Sequence, residues 1–397
     1  MKILFLTLAK IDSIDEKSIY TDLLRKFRNE GHKITVISPI ERRFKKRTEL
    51  TKETDCQILH VWTPNIQKTN FFEKTIGTIL LEHFFKRAYN RYLIKDNFDL
   101  ILYSTPPITF TNFIKCLKDK TKAKTYLLLK DIFPQNAVDL GMFSKNSLVY
   151  KYFRKKEVQL YEISDWIGCM SQANKNYILN QNPNLCQSKV EVNPNSIYLE
   201  KDLLHSTYNS INLPENKIIF VYGGNLGKPQ GLDFLLDVIL DSSSNSKAYF
   251  IIVGSGTESK RIRKWFDFNN PVNAIFFPEM PKTEYEFLLK KCHVGLVFLN
   301  PKFTIPNYPS RILNYMENKL PILFAIDKNT DVGTDAELYN YGLWCQNGDI
   351  LKFRKFVDFF CEDNKERIKM GDNGYKRLHA DFCVDFSYNA IISHFIF

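Results

Sequence analysis

The stretch Val221–Ile239, VYGGNLGKPQGLDFLLDVI, places four glycines and a lysine between an apolar strand and a helix-like apolar pattern. Gly223 and Gly224 close the strand, Gly227 follows, and Gly231 precedes the helix. Such glycines either give the chain room to turn or let a ligand approach the backbone. A strand-to-helix turn can also present N–H groups to an anion. The spacing is not GxGxxG, so a dinucleotide fingerprint is not predicted.

Short apolar runs alternate with helix-length segments on both sides of this stretch, as in KILFLTLA, KITVIS and DLILYST before it and AYFIIVG, VGLVFLN and PILFAI after it. This alternation is typical of parallel sheets covered on both faces. We therefore predict an α/β protein with two doubly wound, Rossmann-like domains. The predicted boundaries are 1–205, 206–375 and a C-terminal helix at 376–397 that packs back on the first domain, with a polar linker at 199–216.

Composition excludes few functions. The chain has 397 residues, 44% hydrophobic and 25% charged, with a formal net charge of +11. Its 8 cysteines form no CxxC pair, so we expect neither a zinc site nor a disulfide framework, and a reducing cytosol. No apolar run approaches the roughly 18 residues of a spanning helix. The positive charge suits nucleic acid, an anionic membrane surface or an anionic substrate.

Two later stretches strengthen an anion-binding interpretation. IIVGSGTESKR places Gly254 and Gly256 at the end of the next strand. In NYPSRILNYMENKLPILFAI, Ser310 is predicted to cap a short helix whose first turn contains Arg311. A cation in a first turn opposes the helix dipole, and a bound anion would remove this conflict.

These strings together resemble family 4 of the GT-B glycosyltransferases. They are GNLGKPQG, VGSG and PSRILNYM followed by LPIL, with LKDIFPQNAVDLGMF, SDWIGCMSQANKNYI and VEVNPNSI in the first half. The branch that they resemble builds bacterial O-antigen and capsule sugars and includes N-acetyl-fucosamine transferases. The resemblance extends over nearly the whole chain.

The resemblance implies a retaining transferase that uses a nucleotide-activated sugar, with a UDP-sugar as the expected donor and no essential metal or other cofactor. The donor, an N-acetylated deoxyhexosamine or hexosamine, would bind the second domain. A lipid-diphosphate-linked saccharide acceptor would bind mainly the first. The sequence contains no DxD pair, which is the usual metal-diphosphate site. We expect a cytoplasmic enzyme at the inner face of the membrane and no nucleic-acid partner.

Protein groups must stabilise a departing diphosphate where no metal does so. The predicted catalytic residues are Lys228 and Arg311 on the donor side and Asp131 on the acceptor side, where it would orient or deprotonate the acceptor hydroxyl. A turn before Pro134 is the alternative role for Asp131. The predicted nucleotide-sugar contacts are Gly223, Gly224, Asn225, Gly227, Gly254, Gly256, Ser310, Asn314 and Glu317.

The chain departs from the family pattern at several positions. Asn225 and Gln230 stand where many family members carry Arg and Lys, and Lys228 is the expected substitute. The acidic E-x7-E pair falls at Pro306 and Asn314. The amide of Asn314 is then the candidate ribose contact, with Glu317 three residues further on the same helix.

A basic aromatic segment at 70–96 and the nearby RRFKKR at 42–47 predict contact with an anionic membrane surface. We expect Phe72, Ile76, Ile79, Leu80 and Phe84 to share one face of a helix. Phe71, Phe85, Lys86, Arg87 and Arg91 are expected off that face. A core helix with a solvated basic side is the alternative.

Two other functions stay open at the level of sequence. One is a nucleotide-sugar epimerase of the same fold, which needs no acceptor. The other is a non-catalytic protein that binds a nucleotide-sugar, which the missing acidic pair allows. Product formation with an acceptor, isomerisation without one, or binding alone separates the three.

Overall fold

The computed structural model describes residues 1–66, 71–199 and 211–395, with 71–76 described as backbone only. It divides into two units. Unit 1 comprises Met1–Tyr198 together with Cys383–Phe397, and unit 2 comprises Leu199–Phe382. The sequence places these boundaries at 205/206 and at 376. Most of the predicted linker at 199–216 lies outside the described residues.

Unit 1 is built on one eight-stranded sheet. Its strands are β1 (Lys2–Leu6), β2 (Lys33–Glu41), β3 (Glu49–Glu53), β4 (Cys56–Thr63), β5 (Leu100–Ser104), β6 (Lys124–Leu129), β7 (Trp166–Cys169) and β8 (Val190–Val192). The order is β3-β4-β2-β1-β5-β6-β7-β8. All neighbours are parallel except β3, which runs antiparallel to β4. The strand order reverses beside β1, and ligands bind open parallel sheets at the carboxyl ends near such a reversal.

Helices cover this sheet. They are α1 (Ile19–Asn29), α2 (Phe71–Tyr92), α3 (Thr111–Thr121), α4 (Gln135–Asp139), α5 (Leu148–Ile163), α6 (Gln172–Gln181) and α14 (Val384–Ile392). The last of these returns to unit 1 at the end of the chain, where Ile197 and Cys383 form a parallel bridge. The Tyr388 ring lies 5.0 Å from that of Phe27 on α1. Ser387 donates a hydrogen bond of 2.6 Å to Asn193, which follows β8.

The predicted apolar face of α2 is partly exposed where the structure describes side chains. Ile79 and Leu80 are 46% and 41% exposed, whereas Phe85 is fully buried. The core-facing stripe is instead Leu81, Phe85, Ala88 and Tyr89. Phe85 packs on Phe110 at a centroid distance of 4.8 Å, which fixes this rotation of the helix. The side chains of Phe71, Phe72 and Ile76 lie outside the described residues.

Unit 2 is built on a six-stranded parallel sheet with the order β11-β10-β9-β12-β13-β14. Its strands are β9 (Ile218–Asn225), β10 (Ala248–Ser255), β11 (Ala274–Phe277), β12 (Val294–Phe298), β13 (Ile322–Ile326) and β14 (Gly342–Gln346). Its helices are α7 (Asp233–Asp241), α8 (Ser259–Asn269), α9 (Lys282–Leu289), α10 (Arg311–Glu317), α11 (Val332–Leu338), α12 (Ile350–Glu362) and α13 (Asn364–Asp381). The order reverses between β9 and β12, so the glycine stretch that ends β9 stands at the switch point.

The two sheets confirm the predicted α/β class of two Rossmann-like domains. The sequence did not predict β3 and β14. The β3 sequence, ELTKE, is a mostly exposed edge strand with no apolar run to mark it. No helix in the described part of the chain is long and apolar enough to cross a bilayer.

Candidate functional site

The glycine stretches of β9 and β10 lie side by side at the carboxyl edge of the unit 2 sheet. Gly224 is paired with Gly254, and Asn225 with Ser255. A Cβ atom on Gly254 would lie 1.9 Å from the carbonyl oxygen of Gly224. One on Gly256 would lie 2.4 Å from that of Leu226. Close packing of two loops therefore gives Gly254 and Gly256 a structural reason to be glycine, whatever their contact with a ligand.

Gly223 and Gly224 have different surroundings. A Cβ atom on Gly223 would lie 1.9 Å from the phenol oxygen of Tyr285, so this glycine makes room for a buried ring. Gly224 is exposed and has a φ of +125°, which favours glycine. The nearest atoms to a Cβ at Gly224 belong to the guanidinium of Arg311, at 3.8 Å. The site therefore has a bare backbone beside a cation.

Arg311 is held in place from two sides. Its Nη2 donates a hydrogen bond of 2.6 Å to the side-chain oxygen of Gln230. Its guanidinium carbon lies 4.5 Å from the centroid of the Tyr222 ring, a cation–π distance. Its Nη1 is buried and has no hydrogen-bond partner in the described part of the chain. A buried cationic N–H without a partner is costly, and a bound anion would satisfy it.

The groups that surround Arg311 are neutral. Burial raises the pKa of Tyr315 to about 12, although Arg311 opposes this rise. Burial also raises the pKa of Tyr222, and it carries the pKa of Tyr285 well above its usual value. The contacts of Arg311 within the described residues include no carboxylate. The positive charge is therefore available to a ligand.

Tyr315 fixes the start of the glycine stretch. Its phenol oxygen accepts a hydrogen bond of 3.2 Å from the N–H of Gly223. The same hydroxyl lies 3.1 Å from the carbonyl oxygen of Val221 and donates to it. Because Tyr315 and Arg311 lie four residues apart on α10, the helix that carries the cation also holds the loop beside it.

The predicted helix cap at Ser310 is wrong. Ser310 has helical dihedrals, with φ −63° and ψ −20°, and its side chain accepts no capping hydrogen bond. An N-cap residue needs extended dihedrals to turn its oxygen towards the free N–H groups, so this backbone excludes the cap. Ser310 is exposed and directly precedes Arg311 in the chain.

The other predicted donor contacts in the glycine stretch differ in exposure. Lys228 is exposed on the 3-10 turn Lys228–Gln230, and its carbonyl accepts a hydrogen bond of 3.0 Å from Asn300. Gly227 is buried just before that turn. Asn225 is exposed at the end of β9, and its carbonyl oxygen accepts a hydrogen bond of 2.8 Å from Tyr222.

The positions that replace the acidic pair contain no carboxylate. Pro306 is buried, and Asn314 and Glu317 are half-buried on α10. The carbonyl of Asn314 accepts a hydrogen bond of 2.8 Å from the Asn318 side chain. A carboxylate does stand elsewhere on this edge, because Ser255 donates a hydrogen bond of 2.6 Å to Glu279 after β11. The sequence did not predict the hydrogen bonds of Glu279 with Ser255 and of Gln230 with Arg311, because each joins residues that are distant in the chain.

Asp131 lies at the carboxyl edge of the unit 1 sheet, two residues beyond β6. Asn136 on α4 donates hydrogen bonds of 2.8 and 2.9 Å to its two carboxylate oxygens. The backbone N–H of Asp131 donates to the Thr105 hydroxyl at 3.2 Å. Both contacts orient the carboxylate, and they serve a structural or an acceptor-binding role equally well.

Most of unit 2 is similar to a known protein family. Residues 207–377 match the family described as glycosyl transferases group 1. The match lies within unit 2 and covers less than half of the chain. The chain has the two-sheet GT-B fold. In the part of the chain that the structure describes, no cluster of three or more His, Cys, Asp or Glu residues could hold a metal ion.

Known relatives match over much longer ranges than the group 1 domain. The chain is 24% identical to the "Probable glycosyltransferase WbjE" of Pseudomonas aeruginosa over 340 residues, which is 82% of this chain and 84% of that one. HepE of Anabaena in complex with UDP-glucose superposes with a TM-score of 0.68 and 14% identity, over 100% of this chain and 99% of that one. WaaG, a glycosyltransferase involved in lipopolysaccharide biosynthesis, superposes with a TM-score of 0.65 and 10% identity, over 98% and 99% of the chains.

The packing of the two glycine stretches yields a stability prediction. Gly254→Ala should cost on the order of 1–3 kcal/mol in backbone strain and a further ~1–3 kcal/mol from the contact with Gly224. Gly348→Ala is the matched control, because Gly348 has a φ of +105° but no atom within 4 Å of a Cβ position. Urea unfolding of the ligand-free chain measures both. Equal losses in the two variants would show that the loops can separate freely.

Proposed function

We propose that the chain is a retaining glycosyltransferase that moves a sugar from a UDP-sugar to a lipid-diphosphate-linked saccharide during synthesis of a bacterial surface polysaccharide. The observation that supports donor binding is the buried Nη1 of Arg311, which has no partner among the described residues and lies beside the bare backbone of Gly224. The complex of HepE with UDP-glucose supports uridine as the nucleotide. The role of WaaG in lipopolysaccharide synthesis supports the polysaccharide context.

In this proposal Arg311 takes over the charge of two residues that the chain lacks. Many family members carry Arg and Lys where this chain has Asn225 and Gln230. Gln230 instead binds the Arg311 guanidinium at 2.6 Å, so a cation from α10 stands against the same loop. Its free N–H would bind the diphosphate and stabilise the charge that develops as the sugar leaves. Lys228 is then an exposed, secondary contact.

The transfer step needs no protein nucleophile. The bond from the anomeric carbon to the diphosphate oxygen breaks, and the acceptor hydroxyl bonds to that carbon on the same face. The hydroxyl proton passes to the leaving phosphate or to Asp131. The sugar keeps its anomeric configuration, and the products are UDP and the extended saccharide. No metal is proposed, because Arg311 supplies the positive charge.

A membrane contact is proposed for one surface of unit 1, which we name the α2 surface. It comprises Phe44, Ile79, Leu80, Lys86 and Arg87, all exposed. The turn Arg42–Phe44 and the helix α2 both lie against the segment 65–66. Arg43 N–H donates to Asn65 at 3.1 Å, and a Cβ on Gly77 would lie 3.2 Å from Ile66. Exposed apolar side chains among cations suit an anionic lipid surface.

Donor binding is tested with a thermal-shift panel of UDP, GDP, ADP and TDP, followed by calorimetry. A nucleotide at about 100 times its Kd adds about 2.7 kcal/mol to the free energy of unfolding. Arg311→Met should weaken UDP binding by roughly ten- to 150-fold, because charged hydrogen bonds contribute about 1.5–3 kcal/mol. Arg311→Lys should be intermediate, since one ammonium cannot serve Gln230 and a phosphate in the same planar way.

The exposed Arg263 provides the control for this experiment. Arg263→Gln should bind UDP like the parent chain. Unchanged UDP affinity in Arg311→Met would remove Arg311 from the donor site. If none of the four nucleotides stabilises the parent chain, the proposed function is wrong.

The acceptor role of Asp131 separates from donor binding in kinetics. Asp131→Asn should lower kcat by about 10²–10⁴-fold, the usual range for a general base, with donor affinity within about twofold of the parent. Asp119→Asn, at an exposed position on α3, is the matched control. A parental kcat in Asp131→Asn would limit this carboxylate to its structural bonds with Asn136.

Membrane binding is measured by sedimentation with anionic and with neutral vesicles. Each cation near an anionic surface contributes about 1 kcal/mol, so Lys86→Glu with Arg87→Glu should weaken binding to anionic vesicles by roughly 30-fold or more. Phe268→Ser removes an 88% exposed ring from unit 2 and should leave binding unchanged. If the double variant binds like the parent chain, the α2 surface is not the contact.

A further inference from the structure

Lys130 is a cation at the carboxyl edge of the unit 1 sheet to which neither the family resemblance nor the donor site gives a role. It follows β6 directly, and its backbone N–H donates a hydrogen bond of 3.0 Å to the Thr105 hydroxyl. Its side chain reaches across β7 to the loop after β8. There Nζ donates to the carbonyl oxygen of Asn193 at 3.5 Å, which is a long hydrogen bond.

The amino group of Lys130 has no carboxylate partner among its described contacts. Asp131 is next in the chain, but Asn136 holds its carboxylate. Cys169 on β7 is near Lys130, but burial raises the pKa of its thiol to about 12, so it brings no negative charge at neutral pH. Lys175 on α6 lowers the pKa of Cys169, and Glu191 on β8 raises it. Burial lowers the pKa of Lys130 to about 7, so the charge of this amine is poorly compensated.

A second unsatisfied polar group lies on the same loop. Asn195 is buried, and its side-chain oxygen has no hydrogen-bond partner among the residues that the structure describes. The oxygen and nitrogen of an amide are assigned from their surroundings, so the same position could present N–H donors to a ligand. The strands β6, β7 and β8 are neighbours in one parallel sheet. Lys130 and the loop 193–195 therefore flank the end of β7 at the ligand-binding edge.

We propose that Lys130 and the loop 193–195 form an anion site for a phosphate group of the acceptor. The inference rests on the proposed function for its source of phosphate, and it adds a binding residue beside Asp131. An anion that joins this amine stabilises its charged form, which favours phosphate-bearing acceptors over neutral saccharides. Lys130 would position the acceptor while Asp131 contacts the reacting hydroxyl.

The site predicts a pH dependence of known sign. A lysine binds phosphate only as the ammonium, so affinity is full below the lowered pKa and falls as the pH rises through it. The fall is about tenfold per pH unit above that pKa. Pyrophosphate gains negative charge over the same range, which by itself would strengthen binding. A net loss of affinity at higher pH therefore identifies the lysine as the titrating group.

The experiment measures pyrophosphate binding to the full chain by calorimetry at pH 6.5 and 8.5, with UDP at saturation to fill the donor site. The parent chain should bind pyrophosphate at pH 6.5 and about tenfold or more weakly at pH 8.5. Lys130→Met should lose binding at both values. Lys130→Arg keeps its charge throughout and should bind nearly equally at both. Lys124→Gln, at the exposed start of the same strand, should behave like the parent.

The result that overturns the inference is pyrophosphate affinity that Lys130→Met leaves unchanged, or no binding once UDP is present. The second result would assign the only phosphate site to the donor. Thermal unfolding checks that each variant is folded. If Lys130→Met is not folded, Lys130→Arg still tests the pH dependence. If UDP itself fails to bind, the proposed donor is wrong. The pyrophosphate arms are then repeated in the Arg311→Met background and still decide the role of Lys130.

Discussion

The contact between the ends of β9 and β10 determines the shape of the candidate donor site. Two parallel strands bring their glycine stretches so close that a Cβ on Gly254 would meet the Gly224 carbonyl oxygen at 1.9 Å. This approach excludes a side chain at Gly254, and the φ of +125° at Gly224 favours glycine there, so the backbone at Gly224 is bare. The cation of Arg311 then stands over the bare backbone, from a helix on the other side of β9. A steric constraint thus creates a surface that suits an anion.

The electrostatics of that surface follow from burial. Three neutral tyrosines surround or support the guanidinium, and a glutamine amide satisfies one of its edges. Nη1, on the other edge, has no partner within residues 1–66, 71–199 and 211–395. Replacing a buried charge with apolar groups is often neutral or stabilising, so an unpaired cation points to a ligand rather than to stability. The same reasoning applies to Lys130 on unit 1, because burial disfavours the charged form of its amine.

Much of the fold could be predicted from the sequence, because continuous apolar strands and capped helices leave strong local patterns. Edge strands such as β3 leave weak ones, since hydrogen bonds to β4 rather than apolar burial form them. The site was less predictable. The bond between Arg311 and Gln230 joins residues 81 positions apart, and no local pattern encodes it. Which face of α2 is buried was not predictable from local sequence either, because the packing of Phe85 on Phe110 sets the rotation of the helix.

The most direct test of the donor site is a crystal structure of the chain with UDP bound. We predict a phosphate oxygen about 2.7–2.9 Å from Nη1 of Arg311, with the Gln230 hydrogen bond kept and the diphosphate against Gly224. A diphosphate held by Lys228, or by any other residue while Nη1 of Arg311 stays without a partner, would contradict this prediction.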